Sequence, residues 1–251
     1  MNELSLFTGI GGGVYGSLIL GWKVLAYVEK DEYCQKVIKQ RQEDGWFEKG
    51  PIYGDIKEFN KKHAKKFKGK IDVITGGFPC QPFSTAGVQK GASDKRYIFD
   101  QVIKTVQIIQ PKWLFFENVP GILTSDTIVK ILTSLEMCGF KLKPPLCIGS
   151  ADCGQIHRRK RIWFYASNTT DNRTCGVLPK TLQRINKGSE VALEKNIRCI
   201  EDLRGRSDIP EPLVRRVDDE SADWRSRHKG TGNAQDPVVM ATAWSILHTY
   251  C

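Results

Sequence analysis

A chain of 251 residues, 40% hydrophobic and 26% charged, has ordinary globular composition and the length for one substantial domain, which excludes wholesale disorder. No apolar run approaches bilayer-spanning length, and Met1–Ile10 lacks the basic-then-apolar pattern of a secretory signal, so a cytoplasmic protein without a membrane partner is expected. A net charge of +10 points to a polyanionic partner, while eight cysteines scattered without a C-x-x-C pair argue against a zinc cluster, and no metal is expected.

In chain order, Glu3–Phe7 reads as a short strand ending in the cluster Gly9-Ile10-Gly11-Gly12-Gly13, with helix-like sequence on to Leu20. Lys23–Val28 is a second strand that ends at Glu29, and a polar helix starts at Asp31. Lys57–Lys70 holds seven lysines against Glu58. Phe59, His63 and Phe67 fall at i, i+4 and i+8 there, so the run reads as one helix with an inward aromatic stripe and solvated lysines. Ile71–Thr75 is a strand leading into Gly76-Gly77-Phe78-Pro79. A helix over Arg96–Ile109, an aromatic strand at Lys112–Phe116, a helix near Ile128–Met137 and a strand at Arg161–Ala166 follow. From about Ser167 to Val217 the periodicity fails, and it returns as a helix over Asp236–His248.

Strands alternating with helices across short links imply an α/β fold with a doubly wound, mostly parallel sheet. Such a sheet binds ligands beyond the carboxyl ends of its strands, where the glycine cluster, Glu29 and the Gly-Gly-Phe-Pro loop all fall. Gly11-x-Gly13-x-x-Gly16, with Glu29 eighteen residues past Gly11, matches a dinucleotide fingerprint in form. It indicates a nucleoside-containing cofactor without saying which.

Cys80, between Pro79 and Gln81-Pro82 in a stiff loop leaving a strand, is poorly placed as core filler and well placed as a nucleophile. Glu117 leaves the apolar strand Trp113–Phe116, where a carboxyl can keep its proton and donate it. Arg159 and Arg161 alternate to one side at the start of their strand, where guanidinium forks can orient a phosphate or carboxylate.

Taken together, Phe7-Thr8-Gly9-Ile10-Gly11-Gly12, Gly77-Phe78-Pro79-Cys80-Gln81-Pro82-Phe83-Ser84, Glu117-Asn118-Val119 and Gly232-Asn233-Ala234 with Pro237 resemble the cytosine-C5 DNA methyltransferase family. The resemblance spans residues 3–166 and resumes near 228, with Ser5 where the family has Asp and His157 where it has Gln. It implies a Rossmann-like methyltransferase fold, with a catalytic domain formed by residues 1–166 and 228–251 and a reduced, irregular target-recognition segment at 167–227. That segment carries 12 basic and 11 acidic residues, so the positive excess lies in the catalytic part. The implied cofactor is S-adenosylmethionine, bound by Phe7, Gly9, Ile10, Gly12, Glu29, Asp55, Ile56, Pro79 and Asn233.

The implied reaction is methyl transfer to C5 of a flipped cytosine in double-stranded DNA. Cys80 is the nucleophile, Glu117 the acid at the base, and Arg159 and Arg161 hold the nucleotide, while Asn118 shapes its loop. A bacterial or phage-encoded protein, nucleoid-associated when bound to DNA, is implied, and a cognate restriction nuclease or a helper protein are partners the reading leaves open. The alternatives are an RNA cytosine-C5 methyltransferase of the same fold, a non-catalytic DNA-binding relative, and a nicotinamide dehydrogenase.

Overall fold

A computed structural model describes residues 1–79, 98–124, 126–155, 159–168, 230 and 234–249. Its strands are β1 (Asn2–Leu6), β2 (Lys23–Val28), β3 (Ile52–Tyr53), β4 (Val73–Gly77), β5 (Trp113–Asn118), β6 (Lys141–Leu142), β7 (Leu146–Gly149) and β8 (Lys160–Ser167). Its helices are α1 (Gly12–Ile19), α2 (Glu32–Glu43), α3 (Ile56–Lys62), α4 (Phe99–Ile109), α5 (Asp126–Met137) and α6 (Pro237–Thr249). The strands form one sheet in the order β3-β2-β1-β4-β5-β8-β6, with β7 also paired to β8. From β3 to β5 every pairing is parallel, and β8 runs antiparallel to β5, β6 and β7. The chain winds outward from β1 to β3, then returns to lay β4 on the other side of β1. This is the doubly wound, mostly parallel α/β sheet that the sequence pattern implies.

Side chains alternate across each strand, so neighbouring residues serve opposite cores. Leu4, Leu6, Val28, Ile74, Leu114 and Phe116 face α3, α4 and α5. Val73, Phe115, Trp163 and Tyr165 face the other way, onto Val239, Met240, Ala243 and Trp244 of α6. On that second face Val14 of α1 and Ile38 of α2 close over Val24 and Tyr27. Burial on both faces explains why these strands read as nearly continuous apolar runs.

Close approach of α1 and α6 rests on Gly16. A Cβ there would lie 2.7 Å from Met240 Sδ and 2.9 Å from the Pro237 carbonyl oxygen, and the backbone atom cannot swing away. Gly16→Ala is therefore expected to cost about 1–3 kcal/mol by overpacking, read as a lower urea midpoint. An unchanged midpoint would mean that the helices separate freely.

Five elements differ from their expected form. The lysine-rich stretch is not one helix: α3 stops before His63, whose φ of −125° leaves the helical region, and a 3-10 turn covers Ala64–Phe67. The aromatic stripe survives the break because Tyr53 gathers it, stacking on His63 at 4.5 Å and meeting Phe59 and Phe67. Strand β4 starts two residues later than expected, and β5 continues through Asn118, so Glu117 lies in the strand rather than after it. The short strands β6 and β7 carry too few residues for a period to register. Of the expected recognition segment, residues 169–227 lie outside the described residues, as do residues 80–97.

Candidate active site

The carboxyl ends of β1 to β5 open on one edge of the sheet, and the winding reverses between β1 and β4. A crevice forms at such a reversal because the flanking crossovers depart to opposite faces. Strand β8, being antiparallel to β5, begins at the same edge and carries Arg161 to it.

After β1 the backbone turns through left-handed conformations at Phe7 (φ 51°), Gly9 (φ 58°) and Gly11 (φ 93°). Glu29 holds this loop: Oε2 accepts the Gly9 N–H at 2.7 Å and Oε1 the Asp31 N–H at 2.8 Å. A Cβ built on Gly9 meets nothing within 4 Å, so the loop faces open space. The first turn of α1 has neither a side-chain cap nor an acidic residue. Its early N–H groups lack intrahelical partners and suit an anionic group.

At the end of β3, Asp55 caps α3 by accepting the Lys57 N–H at 2.7 Å and pairs with Lys30 at 3.2 Å. The backbone hydrogen bond, chiefly, holds its carboxyl below the usual range. Ile56 beside it is buried.

Glu117 lies opposite Trp163 on the face that α6 covers and is only 7% exposed. Arg161 Nε meets its Oε1 at 2.7 Å. Burial pushes the Glu117 carboxyl above its ordinary pKa, against the opposing pull of Arg161, Arg159 and a hydrogen bond from Gln235. Arg159 donates from Nη2 to the Ala234 carbonyl at 2.7 Å. Its Nε is buried with no hydrogen-bond partner among the described residues, an arrangement suited to an incoming acceptor.

Asn118, one residue on, points to the opposite face, donating to the Phe78 carbonyl at 3.0 Å and accepting the Val119 N–H at 2.8 Å. These bonds tie the end of β5 to the loop that leads to exposed Pro79 and on to Cys80.

The site residues expected from sequence thus fall into two described groups: the loop of Phe7, Gly9, Ile10 and Gly12 with Glu29, and the cluster of Glu117, Arg159 and Arg161. Asp55 and Ile56 stand at the neighbouring strand end. Cys80 and Asn233 lie outside the described residues. No group of three or more His, Cys, Asp or Glu side chains that could hold a metal occurs among the described residues. No described helix is long and apolar enough to cross a membrane.

Two residues of the site escape a reading of the sequence. Gln235 sits between the glycine loop and Glu117, and nothing in its local pattern marks it. Asp236 accepts from Ser150 Oγ at 2.7 Å, from Gln155 Nε2 at 3.0 Å and from the Val238 N–H at 3.0 Å. An Asp directly before a Pro that opens a helix is a recognisable cap, so that signal was available.

The family described as C-5 cytosine-specific DNA methylase matches residues 1–236. The chain is 32% identical over 200 residues to the type II methyltransferase M.HpaII of Haemophilus parainfluenzae, covering 77% of this chain and 53% of that protein. It is 35% identical over 143 residues to the type II methyltransferase M.PspPI of Psychrobacter, covering 55% of this chain and 33% of that one. The chain therefore spans about half or less of the length of these relatives. Among solved structures, the Entamoeba histolytica methyltransferase EhMeth superposes with a TM-score of 0.60 at 15% identity, covering 98% of each chain, which supports the fold.

Proposed function

The chain belongs to the C-5 cytosine-specific DNA methylase family, and from that premise we propose that it transfers a methyl group from S-adenosylmethionine to C5 of cytosine in double-stranded DNA. The observation that carries the reading is the buried Glu117, gripped by Arg161 one strand from the sheet's reversal point and joined through Asn118 to the loop leading to Cys80. Residues 1–166 and 228–251 form the catalytic part in this reading, and residues 167–227 the target-recognition segment.

The residues present fit the cofactor. The loop of Phe7, Gly9, Ile10 and Gly12, which faces open space at Gly9, would take its methionyl part. Glu29 accepts one backbone N–H bond at each oxygen and keeps further lone pairs for a ribose diol. Asp55 and Ile56 would border the adenine, and Pro79 and Asn233 would close the site. When bound, S-adenosylmethionine supplies an electrophilic methyl group.

The chain's own residues then do the following. The target cytosine leaves the stack, because C5 and C6 cannot be reached within the duplex. Cys80 adds as thiolate to C6, and electron density moves onto the ring. Glu117 hydrogen-bonds or protonates N3, stabilising that charge, so that C5 becomes enamine-like and would take the methyl group as the sulfonium's carbon–sulfur bond breaks and leaves a neutral thioether. Arg161 fixes the Glu117 carboxyl, and Arg159 meets the nucleotide with its buried Nε. Return of a proton placed on N3 to the Glu117 carboxylate, loss of the C5 proton to water and departure of Cys80 from C6 as thiolate restore the ring as 5-methylcytosine.

The test is transfer of a labelled methyl group from S-adenosylmethionine to unmethylated duplex DNA, with structured RNA alongside. DNA labelling that disappears in Cys80→Ala is expected. Label on RNA alone would move the substrate class. Unchanged labelling of DNA by Cys80→Ala would remove the proposed nucleophile.

A further inference from the structure

The glycines around the site report what lies against them. A Cβ on Gly12 would come within 2.1 Å of the Gln235 carbonyl oxygen, and one on Gly13 within 2.2 Å of Gln235 Oε1. On Gly77 it would meet Glu117 Oε2 at 2.8 Å and Gln235 Nε2 at 3.1 Å. The Gln235 side chain therefore spans the gap between the first turn of α1 and the Glu117 carboxyl, its amide nitrogen toward Oε2 and its amide oxygen toward the helix start. Arg161 already holds the other oxygen, Oε1.

The backbone around Gln235 is anchored on both sides. Ala234 is bound through its carbonyl by Arg159, and Asp236 is bound by Ser150, Gln155 and two N–H groups of α6. A glutamine on a free loop would lose much rotamer entropy on holding one geometry, whereas one between two fixed residues loses little. The same anchors set Arg159 and Gln235 together, so the two donors reach the site as one unit.

We propose that Gln235 is a positioning residue for Glu117: its amide N–H holds Oε2 while Arg161 holds Oε1, orienting the carboxyl toward the base. The assignment rests on the proposed reaction for its purpose, though the contact itself can be tested without turnover. A carboxyl held by one donor can rotate about its last bond, which is soft, and a second donor on the other oxygen removes that freedom. The charged and titratable groups facing Glu117 among the described residues are Arg161 of β8 and Arg159 just before that strand, and Gln235 is the neutral donor from the segment before α6.

The experiment uses the full chain labelled with 13C at the glutamate carboxyl carbons, the Glu117 signal being identified by its loss in Glu117→Gln. Gln235→Met keeps the side-chain length and removes the donor, and Gln235→Glu puts a second carboxyl in its place. The Glu117 titration midpoint is expected to rise from wild type to Gln235→Met, and further in Gln235→Glu, because a donor is lost and then a like charge is added. In the transfer assay Gln235→Met is expected to lower kcat roughly tenfold, with KM for DNA and for S-adenosylmethionine within about twofold of wild type. Thermal melting of each variant separates these effects from misfolding. A Glu117 midpoint unmoved in both folded variants would overturn the proposal, as would unchanged kcat in Gln235→Met. A wild-type chain that transfers no methyl group would overturn the proposed reaction instead, and a midpoint rising in the stated order would still support the contact.

Discussion

Glu117→Gln is expected to lower methyl transfer by about 10²–10⁴-fold, the range for losing a positioned acid, while the protein stays folded. The substitution preserves shape and the ability to accept from Arg161, but it removes the only group of the cluster that can both carry and release a proton at the base. The companion variant Arg161→Met tests the electrostatics. Burial raises the Glu117 pKa and the two arginines pull it down. Removing the cation that touches Oε1 at 2.7 Å takes away the larger opposing pull. The carboxyl then binds its proton more tightly, so the limb of the pH–rate profile governed by Glu117 moves to higher pH. Profiles of kcat/KM from acid to mildly alkaline pH check this, and a limb that stays in place would mean that Glu117 does not control it.

Glu3→Gln is expected to stabilise the protein at neutral pH, by an amount that disappears in acid. Glu3 is fully buried beneath α1, accepts the Thr75 hydroxyl at Oε1, and has Ser17 beside it. Its Oε2 has no hydrogen-bond partner among the described residues. Burial, as the main cause, raises its pKa from 4.5 to about 7.

An acid whose folded pKa is raised costs nothing below the unfolded value, where both states hold the proton. Between the unfolded and folded pKa the unfolded chain gains by releasing its proton while the native state keeps it, so stability falls as pH rises. The loss is complete above the folded value. A shift from 4.5 to about 7 corresponds to roughly 3 kcal/mol. The substituted amide would carry no such burden, and it could donate to Ser17 Oγ, whose own hydroxyl donates to the Gly13 carbonyl at 3.2 Å. Urea unfolding of both proteins, once in acid below the unfolded pKa and once in mild alkali above the folded one, measures the difference. A gap between variant and wild type that does not widen toward alkaline pH would mean that Glu3 titrates normally in the folded chain.

The strand pattern was legible because alternation and apolar runs survive in any single sequence. Lys23–Val28 matches β2 residue for residue, and the regions of β1, β5, β8, α2 and α6 were found within a few positions. The break in the lysine-rich helix was not legible. His63 and Phe67 keep the helical spacing, and only the ring of Tyr53, arriving from β3, allows the stripe to remain buried after the helix ends. Strands β6 and β7, of two and four residues, exist because β8 offers them an edge.

The division runs the same way at the site. Residue chemistry within one short stretch belongs to the sequence: the glycines that permit left-handed turns at 9 and 11, the acid following β2, the carboxyl next to an apolar run, and the cysteine between prolines. Order along the chain also settles that these stretches fall at strand ends, since parallel strands joined by crossovers must present their carboxyl termini on one edge. Distance between side chains far apart in sequence is what only the tertiary structure decides. The antiparallel turn of β8 brings Arg161 against Glu117, forty-four positions away in the chain. The return of α6 across α1 delivers Gln235 to the same carboxyl from more than a hundred residues beyond it. Local energetics set what each residue can do, but whether Glu117 is buried, paired and held on both oxygens depends on packing between elements that no short window of sequence contains.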